Sequence, residues 1–89
     1  MKNWKVEEKR MVYCKYKKHT DDTVTYAYGE NIGDITGELV FHFGENEGIE
    51  IIREPEKDVV LPRQIHSLYG IHRREFKNGI FKEKIAYEC

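Results

Sequence analysis

Cysteine and proline are scarce in this chain of 89 residues, which has two of each and a single serine. The two cysteines, Cys14 and Cys89, are too few for a disulfide framework, so we expect reduced thiols, with one bridge only if the chain is exported. The sequence contains no run of about 18 apolar residues, and its first eight residues lack the apolar stretch of a signal peptide. These absences predict a cytoplasmic protein that does not enter a membrane.

Sequence motifs of catalysis and metal binding are also missing. There is no CxxC pair, glycine-rich phosphate loop, GxSxG or HExxH. His66 and His72 are six residues apart, so on a helix they face different directions and do not chelate one metal. We therefore expect no cofactor, no metal site and no catalytic residue. A small metal-free hydrolase or nuclease that uses His66, Arg73 and Arg74 is the remote alternative.

The composition suits one small folded domain over residues 1–89. Apolar residues make up 39% of the chain, charged residues 35% and aromatic residues 12%, which is too apolar for a disordered tail. The chain is also too short for two separate cores. Residues 1–10 are ambiguous, because they fit either a short helix capped by Asn3 or an extended arm.

Alternation of apolar and polar residues predicts a four-strand antiparallel meander between residues 11 and 54. Polar or glycine-containing turns at residues 19–22, 29–33 and 44–48 separate the strands. The alternation assigns to one face Val12, Cys14 and Tyr16, then Val24, Tyr26 and Tyr28, then Ile35, Gly37, Leu39, Phe41 and Phe43, and finally Ile49, Ile51 and Arg53.

Residues 62–77 predict one amphipathic helix, which begins at Pro62 and stops at Asn78-Gly79. Its apolar stripe consists of Ile65, Leu68, Tyr69, His72 and Phe76. These side chains lie within about 100° of arc, so the helix packs on one face of the sheet. We expect His72 to be neutral and bonded to an acceptor, or part of a site. Alternation from Phe81 to Tyr87 predicts a C-terminal strand, whose neighbour the sequence leaves open.

The opposite side of the same helix carries all of its formal positive charges. We call these four charged residues and His66, on the same side, the basic band, and it consists of Arg63, His66, Arg73, Arg74 and Lys77. Guanidinium and ammonium groups fit phosphate oxygens, so the band predicts nucleic-acid binding as one function. The competing interpretation is a solvated helix face, or one that lies over the acidic meander.

Charge is segregated along the chain although the net charge is only -1. Residues 1–20 contain seven basic and two acidic residues, residues 21–60 two and eleven, and residues 61–89 six and three. The turn acids Glu30, Asp34, Glu45 and Glu47 predict a surface that binds a basic protein partner. An exposed strand edge is a second route to a protein partner or a homodimer. Alternatively, the acidic and basic segments neutralise each other within the fold.

The first strand offers a further basic site, because Tyr13 lies between lysines on its outward side. Lys15 and Lys17 share that side with Tyr13. An exposed tyrosine among lysines is typical of some single-strand binders, whereas lysines alone also protect an ordinary strand edge. Taken together, the sequence favours a non-catalytic module that binds a protein partner, with nucleic-acid binding through the basic band as the alternative.

Overall fold

The fold is that of a computed structural model, which describes residues 11–30, 33, 35–56, 60 and 62–88. Five strands and one helix make up this part of the chain. Their bounds are β1 Met11–His19, β2 Thr23–Gly29, β3 Gly37–His42, β4 Gly48–Arg53, α1 Pro62–Lys77 and β5 Lys84–Glu88. The predicted α+β class is confirmed, and α1 has the predicted bounds. The expectations for residues 1–10, Asp34 and Cys89 lie outside the described residues.

The strands form one antiparallel sheet in the order β4-β3-β2-β1-β5. The first four strands are sequential neighbours, as the meander prediction requires. The segment that contains α1 then takes the chain from β4, at one edge of the sheet, to the other edge, where β5 pairs with β1. Alternation shows which side chains share a face but does not show which strand lies beside which, so this pairing was open.

The core lies between α1 and one face of the sheet, which we call the inner face. Four of the five residues in the apolar stripe of α1 are buried, and His72 is half-buried. The buried side chains of the inner face are Val12, Cys14, Val24, Tyr26, Tyr28, Leu39, Phe41 and Ile85. The opposite, outer face of the sheet carries no helix in the described part of the chain.

Phe76 stands at the centre of the core. Its side chain is 1% exposed, and its ring centroid lies between 5.5 and 6.3 Å from the centroids of six other rings. Those rings belong to Tyr26, Phe41, Phe43, Tyr69, His72 and Phe81. Aromatic pairs at such distances contribute about 0.5–1.5 kcal/mol each beyond the area that they bury. Attachment of α1 to the sheet therefore depends strongly on this one side chain.

The end of α1 explains why Asn78-Gly79 is an effective stop signal. Gly79 has φ of 76°, a left-handed conformation that costs glycine little. Its N–H donates to the Phe76 carbonyl at 3.0 Å, and the Ile80 N–H donates to the Glu75 carbonyl at 2.8 Å. This pair of bonds is a Schellman motif, which satisfies the last carbonyls of the helix and turns the chain towards β5.

A bulge in β1 adds one residue opposite β2. The register shifts between Tyr16 and Lys18, so Lys17 is the additional residue. In a bulge, two residues of one strand oppose a single residue of its neighbour, and both lysines are therefore on the outer face. Beyond the bulge, His19 is on the inner side, where its ring stacks on Phe81 at 4.3 Å between centroids.

A second bulge, at Ile52 in β4, corrects one predicted side-chain direction. Simple alternation placed Arg53 on the same face as Ile51, which is wrong. The additional residue sets Ile51 opposite inner-face Leu39 but Arg53 opposite outer-face Glu38. The Arg53 guanidinium lies 3.7 Å from the Glu38 carboxylate, so the bulge allows an ion pair across the outer face.

Candidate functional site

The five residues of the basic band all lie on the exposed side of α1. Arg73 and Lys77 reach the turn between β3 and β4, where both form ion pairs. Arg63 and Arg74 have no ion pair with any residue that the structure describes. His66 borders a groove beside β4. The fold thus divides the band into two cations held by the sheet and three residues that face solvent.

Glu47, in the turn between β3 and β4, holds the two bound cations. Its Oε1 accepts a hydrogen bond from Arg73 Nε at 2.5 Å, and its Oε2 accepts one from Arg73 Nη2 at 2.7 Å. Lys77 Nζ lies 3.1 Å from Oε2 and also donates to the Phe43 carbonyl at 2.9 Å. The Tyr69 hydroxyl donates to Oε1 at 3.0 Å. The bonds from Arg73, and next those from Lys77, hold the pKa of Glu47 well below its usual range.

This cluster joins residues that the sequence assigned to two different functions. Glu47 belonged to the predicted protein-binding acids, whereas Arg73 and Lys77 belonged to the predicted nucleic-acid site. A bidentate guanidinium–carboxylate pair satisfies both groups, so neither is free for an external ligand without breaking the pair. At this cluster the acidic and basic segments do neutralise each other.

The structure does not bring together the described members of the four turn acids predicted to bind a partner. Glu30 follows β2 at one end of β3, whereas Glu45 and Glu47 follow β3 at its other end. β3 is six residues long, so its two ends are about 20 Å apart. Glu45 is exposed, Glu30 is half-buried and has a bonding partner, and Asp34 lies outside the described residues.

β4 is a free edge of the sheet in the described part of the chain, because it pairs only with β3. Two neighbouring side chains on it, Ile51 and Ile52, are 42% and 49% exposed. An edge strand presents a row of unpaired N–H and C=O groups, to which another strand can be added. We call Gly48–Arg53 and its exposed isoleucines the β4 edge.

Acidic side chains surround the β4 edge. Glu50 lies within the strand and is 3.0 Å from His42 Nε2, and Glu54 and Glu56 follow the strand and are exposed. Arg53, a cation in the same strand, donates from Nε to the Thr36 carbonyl at 3.0 Å and faces Glu38. Among the described residues of β4 and of the segment that follows it, carboxylates therefore outnumber cations, and the arginine is already engaged.

An apolar groove runs between the β4 edge and the N-terminal half of α1. Its volume is about 350 Å³. We call it the edge groove, and its aliphatic walls are Ile49, Ile51, Val60 and Ile65. Glu54 and His66 also border it, as does Tyr28. Burial, and to a smaller extent Glu54, raises the pKa of Tyr28 to about 12, so its hydroxyl is protonated at neutral pH.

No protein-family model matches the chain, and neither a curated protein nor a solved structure matches it. Among the described residues, no group of three or more His, Cys, Asp or Glu side chains is placed to hold a metal ion. The same residues include no helix with the length and apolarity needed to cross a membrane.

His72 and Cys14 carry groups that are reactive in some proteins, but the surroundings of both indicate a structural role. His72 Nδ1 lies 3.0 Å from Glu75 Oε1, a contact that fits its interpretation as a hydrogen-bonded core residue. This bond, followed by that from Lys82, lowers the pKa of Glu75. Cys14 is 2% exposed, and burial raises its pKa to about 12. Its thiolate, the reactive form, is therefore negligible at neutral pH.

The sequence predicts an exposed strand edge but does not identify the residues of the β4 edge. Ile51 and Ile52 were assigned to opposite faces of a regular strand. Adjacent isoleucines in an alternating pattern are a signal that could have indicated a bulge with both side chains accessible. The contribution of Val60 depends on the path from β4 to α1, which no local pattern specifies.

Proposed function

We propose that this chain is a non-catalytic interaction module that binds an extended segment of a partner protein along the β4 edge. The observation that carries the proposal is the unpaired edge of β4 in the described part of the chain, together with the exposure of Ile51 and Ile52. Strand addition supplies main-chain hydrogen bonds for affinity, while alternate side chains of the added strand give specificity. The bulge at Ile52 restricts regular pairing to the stretch before it, so the bound segment is short.

The edge groove supports an apolar anchor in that segment. In an added strand every second side chain points to the inner side of the sheet, where the groove lies. Its volume of about 350 Å³ is at the small end of ligand pockets, which suits one or two side chains. Ile51 forms part of the groove wall and is 42% exposed, so an incoming aliphatic or aromatic group would cover it.

The charges around the edge support a basic partner. Glu50, Glu54 and Glu56 are exposed, whereas Arg53 is held by Thr36 and Glu38. Lysine or arginine residues between the apolar anchors would meet these carboxylates, and such complementarity mainly accelerates encounter and selects partners. The partner segment therefore alternates apolar with basic residues.

A displayed library of random heptapeptides tests the proposal directly. We expect the full-length protein to enrich peptides in which apolar residues alternate with Lys or Arg. A synthetic copy of the enriched peptide should slow amide hydrogen exchange in Gly48–Arg53. Absence of enrichment, enrichment of acidic peptides, or protection confined to other strands would contradict the proposal.

Matched variants locate the site. Ile51→Lys should weaken the peptide about tenfold or more, because the groove loses its aliphatic wall. Ile71→Lys is the control, since Ile71 is 58% exposed on α1. Glu54→Lys should weaken binding, whereas Glu83→Lys makes the same charge change before β5. Equal effects of the test and control variants would exclude the β4 edge as the binding site. A dimer that persists on dilution, and in which the β4 amides are already protected, would also exclude it.

A further inference from the structure

The outer face of the sheet carries a second charged surface, centred on β1 and β5 rather than on β4. We call it the lysine face, and it consists of Lys15, Lys17, Lys18 and Lys84. The first three lie on β1 and the fourth on β5, which is the opposite edge strand. The bulge at Lys17 increases the density of ammonium groups, since it presents two consecutive lysines where a regular strand would present one.

Two of these lysines face each other without compensation. Lys15 and Lys84 are direct cross-strand partners. Like charges in this position destabilise a sheet. Lys17 lies 3.4 Å from Glu38, but neither Lys15, Lys18 nor Lys84 has an ion pair within the described ranges. The fold therefore keeps a repulsive arrangement that an anionic ligand would relieve.

Tyr13 lies beside these lysines on the same face. Its direct neighbours across the two adjoining strands are the small residues Gly29 and Ala86, and its own side chain is half-buried. A depression of about 360 Å³ is bordered by Tyr13, Ile35, Ala86 and the opposed lysines. The depression thus combines an aromatic ring with small apolar side chains. The two lysines lie two residues further along their strands, about 7 Å from Tyr13 and Ala86.

We propose that the lysine face binds single-stranded nucleic acid, with one base stacked on Tyr13 and the adjoining phosphates held by Lys15 and Lys84. Lys18 continues the cationic path along β1. The phosphate contacts proposed for Lys15 and Lys84 are separate from the β4 edge, because β2 and β3 lie between β1 and β4.

The combination of groups favours a single strand over other polyanions. Stacking on an aromatic side chain requires a base that is free of its duplex partner, and every base has a face that can stack. Lysines act as point charges that suit phosphates without fixing sequence. Glu38 pairs with Lys17 but leaves Lys15 and Lys84 without an ion pair in the described residues. The acidic turn that contains Glu45 and Glu47 lies between β3 and β4, and a Debye length near 10 Å screens it at 0.1 M salt.

Fluorescence anisotropy with the full-length protein and labelled ten-nucleotide oligothymidylate provides the test. Binding should weaken with salt with a log–log slope of about -2, as expected for roughly three phosphates contacted on a single strand. An abasic oligonucleotide of equal length, which retains the phosphates, should bind about tenfold more weakly. Equal binding of the abasic strand, of duplex DNA, of polyphosphate or of phosphatidylserine vesicles would overturn the assignment, as would absence of binding at 20 mM salt.

Variants separate a local site from a general charge effect. Tyr13→Leu should weaken oligothymidylate binding about tenfold while leaving abasic binding unchanged, and Tyr13→Phe should retain affinity because the ring remains. Lys84→Glu should weaken binding about tenfold or more. Lys82→Glu changes the net charge equally at an exposed lysine whose ion-pair partner is Glu75 on α1, and it should have little effect. Circular dichroism confirms that each variant is folded, and equal losses for Lys84→Glu and Lys82→Glu would contradict the site.

Discussion

Lys84→Glu should stabilise the fold even though it removes a proposed ligand contact. Lys84 and Lys15 are exposed and directly opposed on β5 and β1. A directly opposed charge pair changes stability by about 0.2–1 kcal/mol, unfavourably for like charges and favourably for opposite charges. The reversal gains both contributions, but exposure keeps each in the lower half of that range, so we expect about 0.4–1 kcal/mol. For a domain of this size the melting temperature should rise by about 2–8 °C.

Urea unfolding followed by circular dichroism measures this gain. The midpoint of Lys84→Glu should rise with an unchanged m-value, and the gain should shrink in 1 M NaCl, where the Debye length is about 3 Å. Arg74→Glu, which makes the same charge change at a site without an ion pair in the described residues, should show no such gain. An unchanged or lower midpoint for Lys84→Glu, or an equal rise for Arg74→Glu, would refute the reasoning.

Three further measurements examine the core and the Glu47 cluster. Phe76→Ala should cost about 3–5 kcal/mol in urea unfolding, whereas exposed Ile71→Ala should cost less than about 0.5 kcal/mol; similar losses would contradict the central position of Phe76. Because the pKa of Glu47 is lowered in the folded state, its contribution is complete above its ordinary pKa of 4.5 and declines as the pH falls below it. Glu47→Gln should therefore unfold at lower urea than the wild type at pH 7, with the difference narrowing at pH 3, and a constant difference would count against the cluster. In a Cys89→Ser background, Cys14 should resist iodoacetamide at pH 8 until the chain unfolds, and rapid labelling of folded protein would exclude its burial.

Local patterns predicted the elements of this fold because each depends on short-range chemistry. Pro62 and Asn78-Gly79 set the bounds of α1 through fixed φ and the left-handed glycine. The inward set of β1 follows from the two-residue period of a strand. The sequence leaves the position of β5 beside β1 open, because that position depends on pairing between distant segments. The bulge at Ile52 was not predicted, because regular alternation was assumed throughout β4.

The candidate surfaces were less accessible to sequence reasoning. Glu47 and Arg73 are 26 residues apart, and their pairing depends on how α1 crosses the sheet. The sequence shows both charges and allows their mutual neutralisation as one interpretation, but it does not show that Glu47 pairs with Arg73. Tyr13 and Lys15 were recognised as a mixed aromatic and basic site, whereas the contribution of Lys84 required the order of the strands.

The bulge in β1 has a consequence for how this chain tolerates changes of length. A version without Lys17 would keep Tyr16 opposite Tyr26 and Lys18 opposite Thr25, and the two strands would simply form an uninterrupted ladder. Single-residue deletions are usually accepted only in surface connections, since within a strand they move every later side chain of that strand to the opposite face of the sheet. In β1, an interior strand, Lys17 can therefore be deleted without moving the later side chains of the strand to the opposite face.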